Sequence, residues 1–317
     1  MRLLRSLTEL PDDLRQGAVA IGNFDGVHRG HAALIDRLRL QAQKVGGPAV
    51  VLTFDPHPVR LLRPSVAPPP LTWTDRKAEL LNELGVHATI AYPTDEALLS
   101  LSASEFFDRI VIQQLSARGI VEGPNFNFGR GREGNIETLG QLCRSAAIEL
   151  DVVEPVLFGN DFVSSSRVRR AITAGDVDLA SQLLTRPYRV RGMVTHGAGR
   201  GGKIGFATAN LEAIDTLLPA QGVYAACAFS LAGTWPAAVN IGPNPTFGEQ
   251  AVKVEAHLIG FSGFLYGQPL ELAFLARLRD IQPFPSIDAL KAQLVADVAA
   301  TEAIVADTPD LAGGAVG

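Results

Sequence analysis

The chain lacks most of what would commit it to an unusual class. It has only two cysteines in 317 residues, Cys143 and Cys227, far apart and without metal-ligand spacing. That excludes a disulfide scaffold and a cysteine zinc site, and it fits buried thiols in a reducing compartment. Neither sign of charge dominates: 28 Lys and Arg against 33 Asp and Glu leave a net charge of −5. Bulk charge therefore cannot hold a polyanion, and no nucleic acid partner is expected. A run of about 18 apolar residues is also missing, so no membrane-spanning helix is expected. The first residues meet Pro11-Asp12-Asp13 early and lack the apolar stretch of a signal peptide, which points to a cytoplasmic protein. No repeat at a solenoid period is visible. What remains is 47% apolar and 19% charged residues, a globular composition. The length suits two domains of roughly 150 residues each.

The grammar of the chain changes near residue 186. Before it, short apolar runs alternate with helical spacing. Strands are expected at 18–21, 49–54, 87–92 and 119–122, and helices at 31–45, 75–84, 102–115 and 136–147. Ser102-Ala-Ser-Glu105 reads as a capping box. Such alternation predicts a parallel sheet covered by helices on both faces. Two short helices are expected within 164–184. After Arg186-Pro187-Tyr188 come strands at 188–195, 223–229, 237–241, 252–259 and 270–277, parted by Gly and Pro, then one helix from Ser286 to about Val305. Many strands and one helix predict a small antiparallel barrel with a C-terminal helix. The expected division is 1–184, 185–305 and a flexible tail at 306–317.

The densest chemistry follows the first strand: Gly22-Asn23-Phe24-Asp25-Gly26-Val27-His28-Arg29-Gly30-His31. A strand–turn–helix start offers free backbone N–H groups and the positive end of a helix dipole, so it suits phosphate. Gly22, Gly26 and Gly30 allow close approach or positive φ. His28 and His31, three apart on the first turn, can both serve a triphosphate under attack at its α-phosphorus. The plainer alternative is a Gly-rich turn with one packed and one solvated histidine. The pattern matches neither a P-loop nor a dinucleotide fingerprint. Ser164-Ser165-Ser166-Arg167-Val168-Arg169 opens another helix, as ordinary caps or as a clamp on phosphate oxygens. Thr53-Phe54-Asp55-Pro56-His57-Pro58 and Gly123-Pro124-Asn125-Phe126-Asn127-Phe128-Gly129 end two further strands, where open sheets bind ligands. The first of these reads equally well as a rigid turn.

Taken in this order, GNFDGVHRGH, TFDPHP, GPNFNFG and SSSRVR resemble the adenylyltransferase half of the bifunctional prokaryotic FAD synthetases. Arg186-Pro-Tyr188, Gly205-Phe-Ala-Thr-Ala-Asn210, Gly222-Val-Tyr224, Asn240-Ile-Gly242, Pro245-Thr-Phe247 and Val254-Glu255-Ala-His-Leu258 resemble the riboflavin kinase module of the same family. The resemblance covers about residues 15 to 305. It implies a Rossmann-like nucleotidyltransferase followed by a β-barrel kinase. It also implies two reactions: riboflavin and ATP to FMN and ADP, then FMN and ATP to FAD and pyrophosphate. ATP, riboflavin, FMN and FAD are then substrates or products, and Mg²⁺ a cofactor. By the resemblance, His28 and His31 contact the ATP phosphates, with Gly22, Asn23, Phe24, Asp25 and Gly30 around them. Ser164, Ser165, Ser166 and Arg169 close on the same nucleotide, and Asn125 and His57 lie beside flavin and nucleotide. A weak homo-oligomer is compatible with the family.

In the second half, Gly197-Ala-Gly199-Arg200-Gly201-Gly202-Lys203-Ile204-Gly205 can wrap phosphates through backbone amides, or is simply a hairpin connection. Thr208 and Asn210 present two oxygens on one face of an extended segment and suit Mg²⁺; the alternative is a turn held by side-chain hydrogen bonds. Glu255 lies on the face of an alternating strand with Lys253 and His257, as a general base for a primary hydroxyl or as a solvated strand carboxylate. The resemblance favours the base and makes Arg279 a flavin contact. Ala198, Gly202, Ala207, Gly260, Ile281 and Pro283 depart from the family pattern. An adenylyltransferase carrying a kinase-inactive flavin-binding barrel is the alternative, and a non-enzymatic flavin carrier a third reading.

Overall fold

The computed structural model describes residues 2–8, 10–197, 200–243 and 252–308, with the backbone alone at Arg200 and Lys203. Ala198, Gly199, the Pro245-Thr246-Phe247 motif and most of the expected tail lie outside the described residues. The chain divides into two compact units, Met1–Pro68 with Thr72–Ser165, and Pro69–Leu71 with Ser166–Gly317.

The first unit runs β1 (Leu3–Leu4), β2 (Ala18–Ile21), α1 (Arg29–Val45), β3 (Ala49–Asp55), α2 (Pro58–Leu62), α3 (Thr74–Glu83), β4 (Ala88–Pro93), α4 (Glu96–Ser100), α5 (Ala103–Phe106), β5 (Gly119–Glu122), β6 (Asn127–Phe128), β7 (Gly134–Asn135), α6 (Ile136–Ser145), β8 (Glu149–Val152), β9 (Leu157–Phe158) and β10 (Asp161–Phe162). Six strands form one sheet in the order β1-β4-β3-β2-β5-β8, parallel at every pair. β6 with β7, and β9 with β10, make short antiparallel ribbons. Alternation along β2 explains the two-faced burial: Val19 and Ile21 join Phe106, Phe107 and Leu139, while Ala18 and Ala20 join Ile35 and Leu38 of α1 and Leu81 of α3. The capping box of Ser102 and Glu105 forms as expected, but the helix then widens into π turns over Phe107–Gln114, so that the Leu115 N–H reaches back to the Ile110 carbonyl.

The second unit holds α7 (Ser165–Ala174, whose first residue ends the first unit), α8 (Val177–Leu184), β11 (Tyr188–Thr195), the single turn α9 (Arg200–Lys203), β12 (Ala209–Glu212), β13 (Gly222–Ser230), β14 (Gly233–Gly242), β15 (Lys253–Leu258), β16 (Pro269–Arg279) and α10 (Ile287–Ala306). The strands close as β11-β12-β15-β14-β13-β16, all antiparallel, with β16 returning to β11. Ser286 caps α10 by accepting from the Ala289 N–H, and Val305 packs with Cys227 and Ala273. Both cysteines are free and buried, and burial pushes the Cys143 thiol up to about 11.

Sequence periodicity misses β1, β8, β12 and the two ribbons. Most are two residues long, too short to show a period, and Glu-Leu-Asp-Val in β8 has no buried residue.

Candidate active sites

The chain leaves β2 for β3 and β4 on one side, then crosses to β5 on the other, so the strand order reverses between β2 and β5. Ligand crevices of open parallel sheets form at the carboxyl ends beside such a reversal. Three expected segments lie at those ends: 22–28 after β2, 55–58 after β3 and 123–129 after β5. The ladder between β2 and β5 ends at Val19 and Ile120; beyond it, the Ile21 N–H donates to Glu122 Oε1 at 2.6 Å. Glu122 is 3% exposed, and desolvation holds its carboxyl well above the ordinary range.

The turn after β2 is strained, and not where its glycines predict. Gly26 has positive φ, but so do Phe24 (46°) and Val27 (42°), whereas Gly22 and Gly30 do not. A left-handed bulky residue costs on the order of 1–3 kcal/mol and persists only where packing over-determines it. Here Phe24 and Val27 are 3% and 1% exposed, so their buried side chains lock the turn.

His28 is the N-cap of α1. The His31 N–H donates to His28 Nδ1 (3.4 Å) and the His28 N–H donates to His31 Nδ1 (3.3 Å), a capping box made of two imidazoles. Their rings stack with centroids 3.7 Å apart at 13°. With Nδ1 accepting in both rings, each neutral imidazole carries its proton on Nε2, a donor for phosphate oxygen. Gly30 permits this: a Cβ there would stand 3.2 Å from His28 Cε1 and Nδ1.

Buried charge braces the same turn. Asp25 Oδ1 accepts from the Thr72 N–H and hydroxyl, and the Gly26 N–H donates to Thr72 Oγ1. Lys77 Nζ donates to Thr53 Oγ1 (3.2 Å), which donates to the Asn23 carbonyl (3.1 Å). Burial pushes the Lys77 ammonium below the ordinary lysine range, opposed by the carboxylates of Asp25 and Asp55. Asn23 Oδ1 is buried without a hydrogen-bond partner among the described residues, an acceptor suited to a ligand donor. His57 Nδ1 accepts from the Val59 N–H as the cap of α2, and Asn125 is exposed in the loop after β5. Of the serine–arginine patch, Ser164 and Ser165 end the first unit, where the Ser165 hydroxyl donates to the Asp25 carbonyl at 2.8 Å. Ser166 and Arg169 belong to the second unit, and Arg169 Nε donates to the Pro69 carbonyl.

In the barrel, strand register assembles a row that sequence could not. Asn210 on β12 lies directly opposite Glu255 on β15 and Thr195 on β11. Glu255 in turn lies opposite Asn240 on β14. Facing residues of adjacent strands share a side of the sheet, so Thr195, Asn210, Glu255 and Asn240 line one face. Exposure alternates along Lys253–Leu258 as predicted, with Val254, Ala256 and Leu258 buried. Thr208 precedes β12 in phase with Asn210, separated by buried Ala209. The Thr195 hydroxyl is buried with no partner among the described residues. Two amide side chains, two hydroxyls and one carboxylate make a hard-oxygen set that fits Mg²⁺. The glycine loop abuts it: a Cβ on Gly197 would stand 2.1 Å from Asn210 Nδ2, and one on Gly201 2.2 Å from the Phe206 carbonyl. His257 Nδ1 contacts the Ala207 carbonyl at 2.8 Å, fixing the loop's far end. Gly205 has positive φ. The backbone of α9 carries Arg200 and Lys203, and Gly199 lies outside the described residues.

Arg279, expected against flavin, is held by Asp297 of α10: Nε and Nη2 lie 2.8–3.2 Å from the carboxylate. Its guanidinium also lies 5.6 Å from the Phe284 ring. Ile281 packs on Gly242, where a Cβ would meet its Cδ1 at 2.1 Å.

Sequence reasoning missed Lys77, Glu122, Thr195 and Asn240 as site residues. Lys77 did leave a signal, because it falls in helical phase with buried Leu81 on the apolar side of α3. Glu122 closes an otherwise apolar strand.

The comparisons with known proteins agree with this geometry. The FAD synthetase family model matches residues 10–167 and the riboflavin kinase model residues 184–305. A bifunctional riboflavin kinase/FMN adenylyltransferase of Pseudomonas fluorescens is 38% identical over 96% of this chain and 98% of its own. The Escherichia coli K12 protein of that description is 33% identical over 94% and 96%. A crystal structure of a protein from Streptococcus pneumoniae, described as a macrolide-efflux protein, is 30% identical with TM-score 0.82, covering 95% of this chain and 98% of its own. That description belongs to that protein; no described helix of the present chain is long and apolar enough to cross a membrane. With both family models matched and relatives aligned along nearly their whole length, the chain belongs to the family of bifunctional riboflavin kinase/FMN adenylyltransferases.

Proposed function

We propose that the two halves act in sequence: the barrel transfers the γ-phosphoryl group of ATP to riboflavin, and the N-terminal half transfers AMP from a second ATP to the resulting FMN. The observation that carries the reading is the imidazole capping box at the strand-order reversal. There His28 and His31 present Nε2 donors beside a locked, N–H-rich turn. FMN phosphate is itself the nucleophile at the α-phosphorus, so this half has only to position it and to stabilise charge growing on the transferred phosphate and on departing pyrophosphate. Gly22, Asn23, Phe24, Asp25 and Gly30 build the turn. Ser164, Ser165, Ser166 and Arg169 are assigned to the nucleotide, and His57 and Asn125 to flavin or nucleotide.

In the barrel, Glu255 takes the proton of the ribityl primary hydroxyl as that oxygen attacks the γ-phosphorus. Thr208 and Asn210 hold Mg²⁺, which offsets phosphate charge when bound. The backbone of 197–205, including Gly197, Gly199 and Gly205, wraps the phosphates, with Arg200 and Lys203 adding charge. Arg279, clamped by Asp297, orients the 278–284 segment toward flavin. The boundaries proposed are 1–184, 185–305 and a tail at 306–317, in a cytoplasmic enzyme of small molecules without a nucleic acid partner.

The test is one incubation with riboflavin, ATP and Mg²⁺, read for FMN and FAD. Both are expected. FAD from supplied FMN but no FMN from riboflavin would instead identify a barrel that only binds flavin.

A further inference from the structure

Lys77 is the one buried cation among the described residues of the first unit, 8% exposed on the apolar side of α3. A lysine in such a place costs free energy unless its charge is used. Two tethers run from it to the turn after β2. One is directional: Lys77 Nζ to Thr53 Oγ1 at 3.2 Å, and Thr53 Oγ1 to the Asn23 carbonyl at 3.1 Å. Because the lysine can only donate, the Thr53 hydroxyl must turn its own hydrogen toward Asn23. The other is electrostatic, to Asp25, which also accepts twice from Thr72 and so pins Gly26. Asp55, at the end of β3, faces the ammonium as well and accepts from the Thr74 hydroxyl at 2.6 Å. The residues tethered, Asn23 to Gly26, include Phe24 in its left-handed conformation and lead directly into the capping box of His28.

We propose that Lys77 is a positioning residue of the adenylyl-transfer site: its buried ammonium, acting through Thr53 and Asp25, holds the strained Asn23–Gly26 turn so that His28 and His31 meet the ATP phosphates in register. The inference rests on the assignment of adenylyl transfer to this half. Packing alone does not explain a charged group where α3 otherwise buries Ala78, Leu80 and Leu81. Thr53, fully buried, is the relay that a methyl group could not replace.

The test uses the full-length chain. Lys77→Met keeps the length and removes the charge and the donor. It is expected to lower kcat for FAD formation from FMN about 10²-fold, the cost of roughly ångström misplacement, with a smaller change in KM for ATP. Riboflavin phosphorylation in the same preparation serves as the internal control and is expected at the parent rate. Lys77→Ala, assayed with and without ethylammonium, asks whether charge rather than bulk is missing: rescue by ethylammonium and not by 1-propanol supports the proposal. FAD formation by Lys77→Met at the parent rate overturns it. So does a loss that 1-propanol restores as well as ethylammonium does, since that result assigns Lys77 to packing. If Lys77→Met melts the first unit, seen in its circular dichroism, the Lys77→Ala rescue decides alone. A parent chain that makes no FAD from FMN and ATP rejects the functional assignment itself, separately from any variant.

Discussion

The two loops proposed to bind phosphate in this chain are held by opposite means. The turn after β2 puts its strain on bulky residues, Phe24 and Val27, and keeps it there by burying them. The loop after β11 is built largely of glycine, at 197, 199, 201, 202 and 205; it passes close to Asn210 at Gly197, and its far end meets His257 at the Ala207 carbonyl. Buried side chains hold the first loop; close backbone approach holds the second. The difference teaches where each half is fragile. The first is sensitive to what lies beneath its turn, the second to an atom added at Gly197 or Gly201.

The sharpest separation of the halves is expected from Glu255→Gln. Loss of a general base typically costs about 10²–10⁴ in rate. FMN formation from riboflavin should fall by that much while FAD formation from supplied FMN stays near the parent rate, read by chromatography of parallel assays. Loss of both activities in a chain with parent circular dichroism would break the two-site comparison. His31→Ala is the converse variant. Removing one phosphate donor, and with it half the capping box, should lower FAD formation about 10²–10³-fold and leave riboflavin phosphorylation intact. An unchanged FAD rate would return the histidines to ordinary capping.

Gly197→Ala tests the claim that the second loop is held by close approach. Its Cβ would collide with the Asn210 amide at 2.1 Å, displacing loop or side chain. A fall of up to about 10²-fold in FMN formation is expected, since small misplacements cost that much. Parent-like kinetics would mean that Asn210 can swing aside without consequence.

The smallest effect is on stability. Burial raises the Glu122 carboxyl well above its ordinary 4.5, so above that pH the unfolded chain ionises it while the folded chain resists. Glu122 therefore opposes folding increasingly as pH rises from its ordinary value through its raised one. Glu122→Gln keeps an acceptor for the Ile21 N–H and abolishes that cost. Its melting temperature should exceed the parent's by about 2–4 °C per kcal/mol regained, with a gain near pH 7 that shrinks toward pH 4. A gain independent of pH would show that ionisation is not the cause.

Much of this molecule was legible in one dimension. Parallel alternation before residue 186 and barrel grammar after it follow from periodicity, because each buried face imposes its own spacing on the chain. Ser286 as the cap of α10, Ser102 with Glu105 as a capping box, and His28 with His31 at the start of α1 are local, set within a single turn. Motif marks the two halves as well: a Cβ at Gly197 would collide with Asn210, and one at Gly30 between the histidines would crowd the His28 ring. Only the tertiary structure decided the rest. Strand register, which depends on pairing across long stretches of chain, aligned Asn210, Glu255 and Asn240. The sheet order placed three separated loops at the carboxyl ends of the neighbouring strands β3, β2 and β5. Folding also determined that Arg279 answers Asp297, and that Lys77 and Glu122 lose water beside the turn after β2. Desolvation and register are properties of neighbours, and neighbours distant in sequence are chosen only when the chain closes on itself.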